Sequence, residues 1–124
     1  MVQRASVLIV DTCLEAREVL RTALERRGMQ TLEASGAQVG LDLARQHHPD
    51  LIVLDVETTT TQGGRTAEQF QQALGSDHAP LVILGTARRT GKLQSGEFVA
   101  KPYHYAPLIH KIEQLLERSR RQTA

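Results

Sequence analysis

The sequence offers almost nothing for a covalent or thiolate-based framework. It holds one cysteine, Cys13, which excludes an internal disulfide and a cysteine-rich metal site. Trp is absent and aromatic residues make up only 3%, so the core must be aliphatic. No apolar run approaches the length of a membrane span. The net charge of +1 gives no strong field to recruit nucleic acid or an anionic membrane. No secretory leader pattern stands at the start, where Arg4 to Asp11 reads as a strand. A reducing, cytoplasmic setting is therefore expected. Neither an internal repeat nor an interdomain linker interrupts the 124 residues. One domain over 1–124 is expected, with 118–124 as a tail able to fray.

What is present is alternation. "SVLIVD" (6–11) is a continuous apolar run ending in an acid, the pattern of a strand buried on both faces. Residues 13–28 place Ala16, Leu20, Ala23 and Leu24 on one helical face, with Gly28 as the stop. "MQTLEAS" (29–35) reads as a half-polar strand near an edge. A second helix pattern over 36–49 carries Ala37, Leu41 and Ala44 and is closed by Pro49. "DLIVLD" (50–55) is another buried strand, and 65–76 a third helix with Phe70, Ala73 and Leu74 on one face. "APLVILGT" (79–86) and "EFVA" (97–100) complete five strands. A last helix over 105–121 carries Leu108, Ile109, Ile112, Leu115 and Leu116. Strands alternating with helices predict an α/β fold with a parallel sheet and right-handed crossovers.

Ligands of open parallel sheets sit outside the carboxyl ends of the strands. Asp11 and Thr12 follow the first strand, Asp55 ends the third, Thr86 the fourth, and Lys101-Pro102 follows the fifth. In the order 2-1-3-4-5 these groups share one rim. A lone Asp at a strand end would be a mere solvent-facing terminus. Four polar groups at four such ends point to a site.

These residues carry a resemblance. "VLIVD" with Asp11, "PDLIVLD" with Asp55, Gly63, Thr86-Ala87 and Lys101-Pro102 occur in the order and spacing of the response-regulator receiver domain. The resemblance extends over essentially the whole length. It implies a flavodoxin-like doubly wound sheet and a signalling module of two-component or phosphorelay pathways, not an enzyme. It implies that Asp55 stands at the phosphoacceptor position. Mg²⁺ would be held by Asp11, Asp55 and the backbone carbonyl of Glu57. Lys101 would supply the ammonium, and Thr86 would bond a phosphoryl oxygen and act as a switch together with Phe98. The partner it implies is a histidine kinase or another signalling protein. The oligomeric state is left open.

The sequence departs from that family in three places. The family carries two adjacent acids where this chain has Asp11-Thr12, and a hydroxyl is a far poorer Mg²⁺ ligand than a carboxylate. Metal binding is expected to be weak or absent. Thr58 and Thr59, within the tract Thr58–Thr61, replace a Met-Pro turn that would pre-set φ. Only ten residues, Ala87 to Gly96, separate the fourth strand from "EFVA". Two glycines and two apolar residues among them draw no amphipathic helix. The fourth helix is expected to be missing or very short.

Other signals have plainer readings. "GTARRTGK" is not a phosphate-binding P-loop: five residues, not four, separate Gly85 from Gly91, and Leu93 follows Lys92. A solvated loop is the simpler reading of Arg88, Arg89 and Lys92. His47-His48 suits a helix C-terminus. His104 and His110, six apart, do not share a metal-binding face. Cys13, beside the expected site, reads as a small packing residue. A flavodoxin-type cofactor binder would need backbone N–H groups where "DTCLEAR" places an acid. A hydrolase would need a nucleophile–base pair, which the sequence lacks. Two readings stay open: a phosphorylation-impaired receiver acting by protein–protein contact, and a working phosphoacceptor with weak Mg²⁺ binding.

Overall fold

The central strands form because their residues are apolar on both faces. In the computed structural model of the chain, β1 (Ser6–Val10), β3 (Leu51–Asp55) and β4 (Leu81–Gly85) are almost wholly buried. The structure describes residues 4–55, 63–74, 79–85 and 96–123. The remaining strands are β2 (Gln30–Ala34) and β5 (Gly96–Ala100). The helices are α1 (Leu14–Arg26), α2 (Ala37–His47), α3 (Gly63–Leu74) and α4 (Tyr105–Thr123).

The five strands pair in the order β2-β1-β3-β4-β5, all parallel. This is the expected flavodoxin-like, doubly wound sheet. β2, half polar, takes an edge. Register follows the hydrophobic runs: Val7 lies opposite Leu51, Ile52 opposite Leu81, and Ile83 opposite Phe98. Four helices stand among the described residues, in keeping with a fourth helix that is missing or very short. Residues 86–95, which bear that expectation, lie outside the described residues, as does the tract Thr58–Thr61.

Side-chain alternation along the strands divides the core in two. Val7, Ile9, Leu51, Val53, Val82 and Leu84 pack under α1 and α4, against Leu20, Leu24, Leu108 and Ile112. Leu8, Val10, Ile52, Leu54, Leu81 and Ile83 pack under α2 and α3, against Leu41, Ala44 and Phe70. Each fully buried Leu, Ile or Phe contributes about 1.5–3 kcal/mol relative to exposure.

Helix boundaries differ slightly from the sequence reading. α3 begins two residues early, because Gly63 and Gly64 enter its first turn. The stretch from 118 onward is helical as far as Thr123. α1 stops at the expected glycine: Gly28 has φ 85°, and its N–H reaches the Glu25 carbonyl at 3.0 Å. α2 ends on His48, left-handed at φ 48°, immediately before Pro49. A non-glycine residue tolerates that region more readily when it is Asn, Asp or His.

Gly40 allows α2 to lie against β1. A Cβ there would meet Val10 Cγ2 at 2.8 Å and Phe70 Cζ at 3.1 Å, and both neighbours are fully buried. Alanine would gain up to about 1 kcal/mol of helix propensity. Overpacking against a central strand costs about 1–3 kcal/mol and should win. Gly40→Ala is thus expected to lower the urea midpoint without changing the slope of the transition, and Gly40→Val to lower it further.

Candidate acidic site at the carboxyl rim of the sheet

Three chain segments converge at one rim. Asp11 follows β1, Asp55 closes β3, and Lys101 follows β5. Asp55 has the parity of Leu51 and Val53, so its side chain lies on the α1–α4 side of the sheet. The Lys101 N–H donates to the Gly85 carbonyl at 2.9 Å, which extends the β4–β5 ladder by one residue. This bond holds the lysine stem over the neighbouring strand end. Its Nζ donates to Asp55 Oδ2 at 2.5 Å.

Both carboxylates are buried, each 6% exposed. A buried charge is tolerated only when paired or hydrogen-bonded. Asp55 has Lys101. Asp11 has main-chain support: Oδ1 accepts the Cys13 N–H at 2.9 Å, and its own N–H reaches the Ala34 carbonyl at 3.0 Å. Burial pushes the Asp11 carboxyl above its ordinary pKa. The Cys13 N–H opposes that shift; the Asp55 charge and a hydrogen bond with Asp55 add to it; Lys101 opposes it again. The two carboxylates therefore sense each other directly. Tyr103 borders them. Its phenol is driven up by burial, by Tyr105, and then by the charges of Asp11 and Asp55. Its ring meets Tyr105 edge-on, centroids 5.5 Å apart.

The structure thus brings together Asp11, Asp55 and Lys101 of the residues singled out by sequence. Thr12 is exposed, unlike the buried pair. Phe98 is half-buried in β5 and packs on the α2–α3 side, away from the face of Asp55. Thr86 and Glu57 lie outside the described residues, as do Arg88, Arg89 and Lys92. Cys13 is exposed, and His104 and His110 are exposed on separate turns. Arg17 was missed by sequence reasoning. Its Nη1 donates to the Asp11 carbonyl at 2.5 Å. The signal was available: helical side chains lean toward the N-terminus, so an Arg one turn into α1 reaches back to the preceding loop.

A hard divalent cation suits two close carboxylates, one of them with a pKa raised by burial and, secondarily, by the charge of the other. The donor chemistry fits Mg²⁺. Two acids are few for it, and the described residues contain no group of three or more His, Cys, Asp or Glu side chains able to hold a metal.

A family model of the response regulator receiver domain matches residues 7–113. The chain belongs to the response-regulator receiver family. Among curated proteins, the transcriptional regulatory protein AfsQ1 of Streptomyces coelicolor is 30% identical over 125 residues, covering 95% of this chain and 54% of that protein. The probable transcriptional regulator ycf27 of Cyanophora paradoxa is 27% identical, with 98% of this chain and 52% of that protein covered. The chain spans about half the length of these two. By contrast it covers 95% of the polar-differentiation response regulator DivK of Brucella ovis, at 26% identity and 90% of this chain. In fold, the receiver resembles chemotaxis protein CheY4 of Vibrio cholerae (TM-score 0.78, 19% identity, 91% and 99% of the two chains). A CheY-like receiver from Methanospirillum hungatei gives TM-score 0.81 at 17% identity, covering 97% and 99%. Receiver domains are two-component signalling modules, and no described helix here is long and apolar enough to cross a membrane.

The raised Asp11 pKa sets a sign for stability. A carboxyl whose folded pKa lies above its unfolded value contributes most stability below the unfolded value. That contribution is lost as the pH rises through the folded value. At pH 7 the ionised Asp11 therefore costs stability. Asp11→Asn, which keeps an oxygen for the Cys13 N–H, should melt several degrees above the parent at pH 7. The gap should close as the pH is lowered through the raised pKa, as followed by circular dichroism melts.

Proposed function

We propose that this receiver carries Asp55 at the phosphoacceptor position but has impaired Mg²⁺-dependent phosphorylation. It acts mainly by protein–protein contact within a two-component or phosphorelay pathway, with a histidine kinase or another signalling protein as partner. The observation that carries this reading is a buried Asp11–Asp55 pair, neutralised at Asp55 by Lys101, with an exposed Thr12 at the second-acid position. Neither nucleic acid nor membrane is a partner of this domain on this reading.

The chemistry follows from charge. Transfer would form a bond between an Asp55 carboxylate oxygen and phosphorus while the bond from phosphorus to its donor breaks. Two anions must approach, so positive charge decides the rate. Lys101 already stands on Asp55 Oδ2 and can move onto a phosphoryl oxygen. Thr86 would donate its hydroxyl to a second such oxygen, and Phe98 would follow Thr86 as the switch. Mg²⁺, when bound, would supply the remaining neutralisation, held by Asp11, Asp55 and the Glu57 carbonyl. With one acid fewer than its family, the site attracts that cation less strongly. A working phosphoacceptor with weak Mg²⁺ binding is the second reading. It is favoured by the intact Asp55–Lys101 pair.

Incubation with Mg²⁺ and a small phosphodonor, followed by intact mass, separates the two. The first reading expects no adduct, or a trace. A stoichiometric phosphoryl adduct that vanishes in Asp55→Asn would establish the second. Thr12→Asp should tighten Mg²⁺ on the order of tenfold, measured by calorimetry; no change would refute the account of the lost acid.

A further inference from the structure

Asp11 is fixed at more points than a strand terminus requires. Its N–H is held by the Ala34 carbonyl, and its Oδ1 by the Cys13 N–H. Its carbonyl accepts from Arg17 Nη1 at 2.5 Å. Arg17 itself is largely buried, its side chain 12% exposed. Its Nε meets Glu33 Oε1 of the edge strand at 3.4 Å, and Arg21 Nε meets Glu33 Oε2 at 3.4 Å. A brace therefore runs from β2 through a guanidinium to the main chain of the acid. The charges that shift the Asp11 carboxyl are those of Asp55 and Lys101. Arg17 acts through the peptide, not as a counter-ion. Charge-assisted hydrogen bonds are roughly twice as strong as neutral ones, which suits a clamp.

We propose that Arg17 is a positioning residue: braced by Glu33, it locks the Asp11 peptide and so aims the Asp11 carboxylate into the rim site. Its importance for Mg²⁺ rests on the reading of Asp11 as a metal-side acid. An exposed cation on α1 would be interchangeable with any other; this one is largely buried, held by Glu33 and donating to the Asp11 carbonyl. Residues that orient a ligand from behind control metal affinity nearly as strongly as the ligand.

The test uses amide hydrogen exchange on the metal-free chain, with Mg²⁺ calorimetry alongside. In Arg17→Gln, whose side chain falls short of the carbonyl, Cys13 N–H protection should drop about tenfold. Val53 and Leu54 in β3 should keep theirs. Arg17→Lys, which can reach the carbonyl with one donor, should recover most of the loss. Arg21→Gln shares Glu33 without touching Asp11 and should leave Cys13 as in the parent. Unchanged Cys13 protection in Arg17→Gln overturns the proposal. So does an equal loss in Arg21→Gln, or a uniform loss that includes β3. Where the parent or Thr12→Asp binds Mg²⁺, Arg17→Gln in the same background should weaken it by about tenfold. If Cys13 loosens selectively and neither background binds Mg²⁺, Arg17's role stands and the cation reading fails.

Discussion

Two buried carboxylates held side by side at the rim repel each other. The Lys101 ammonium on Asp55 offsets this repulsion. It can do so because Lys101 is tied to Gly85 at the end of β4, the neighbour of β3. The site is therefore a consequence of strand order. Asp11, Asp55 and Lys101 are far apart in sequence, and only parallel pairing of β1, β3, β4 and β5 puts their carboxyl ends at one edge. The remaining strain is visible in the raised pKa of Asp11.

That residual strain links stability to chemistry. Acids gathered to attract a cation are unfavourable neighbours without one, and sites of this kind typically trade stability for function. On the proposed reading, the trade in this receiver is smaller than in its family. Thr12 removes one charge, and a lysine covers half of what is left. On that reading, a threonine in place of an acid would both ease the fold and reduce the field that draws in Mg²⁺. On the proposed reading, a weak metal site and a tolerable acidic pair are two faces of one change.

Much of the fold was legible beforehand, for identifiable reasons. Doubly buried strands read as unbroken apolar runs, and β1, β3 and β4 are such runs. The half-polar β2 announced an edge. The α1 and α2 stops at Gly28 and Pro49 follow from backbone chemistry local to the chain. The start of α3 was less legible because Gly63 and Gly64 carry no side chain to signal a face. Arg17 was missed because charged residues on a helix usually face water. The lean of helical side chains pointed it to the preceding loop, but its contact with Glu33 depends on an edge strand that no local pattern places.

The sequence by itself determined the element order, the apolar faces and the residue types that stand at the strand ends, Thr12 beside Asp11 among them. These are local properties: hydrophobic period, turn chemistry and residue type. The tertiary structure alone decided that Asp55 pairs with Lys101, that burial, with the Asp55 charge adding to it, raises the Asp11 pKa, and that Arg17 turns inward to grip a carbonyl. Charges act through distance and desolvation, and neither exists until the strands have paired and water has been excluded.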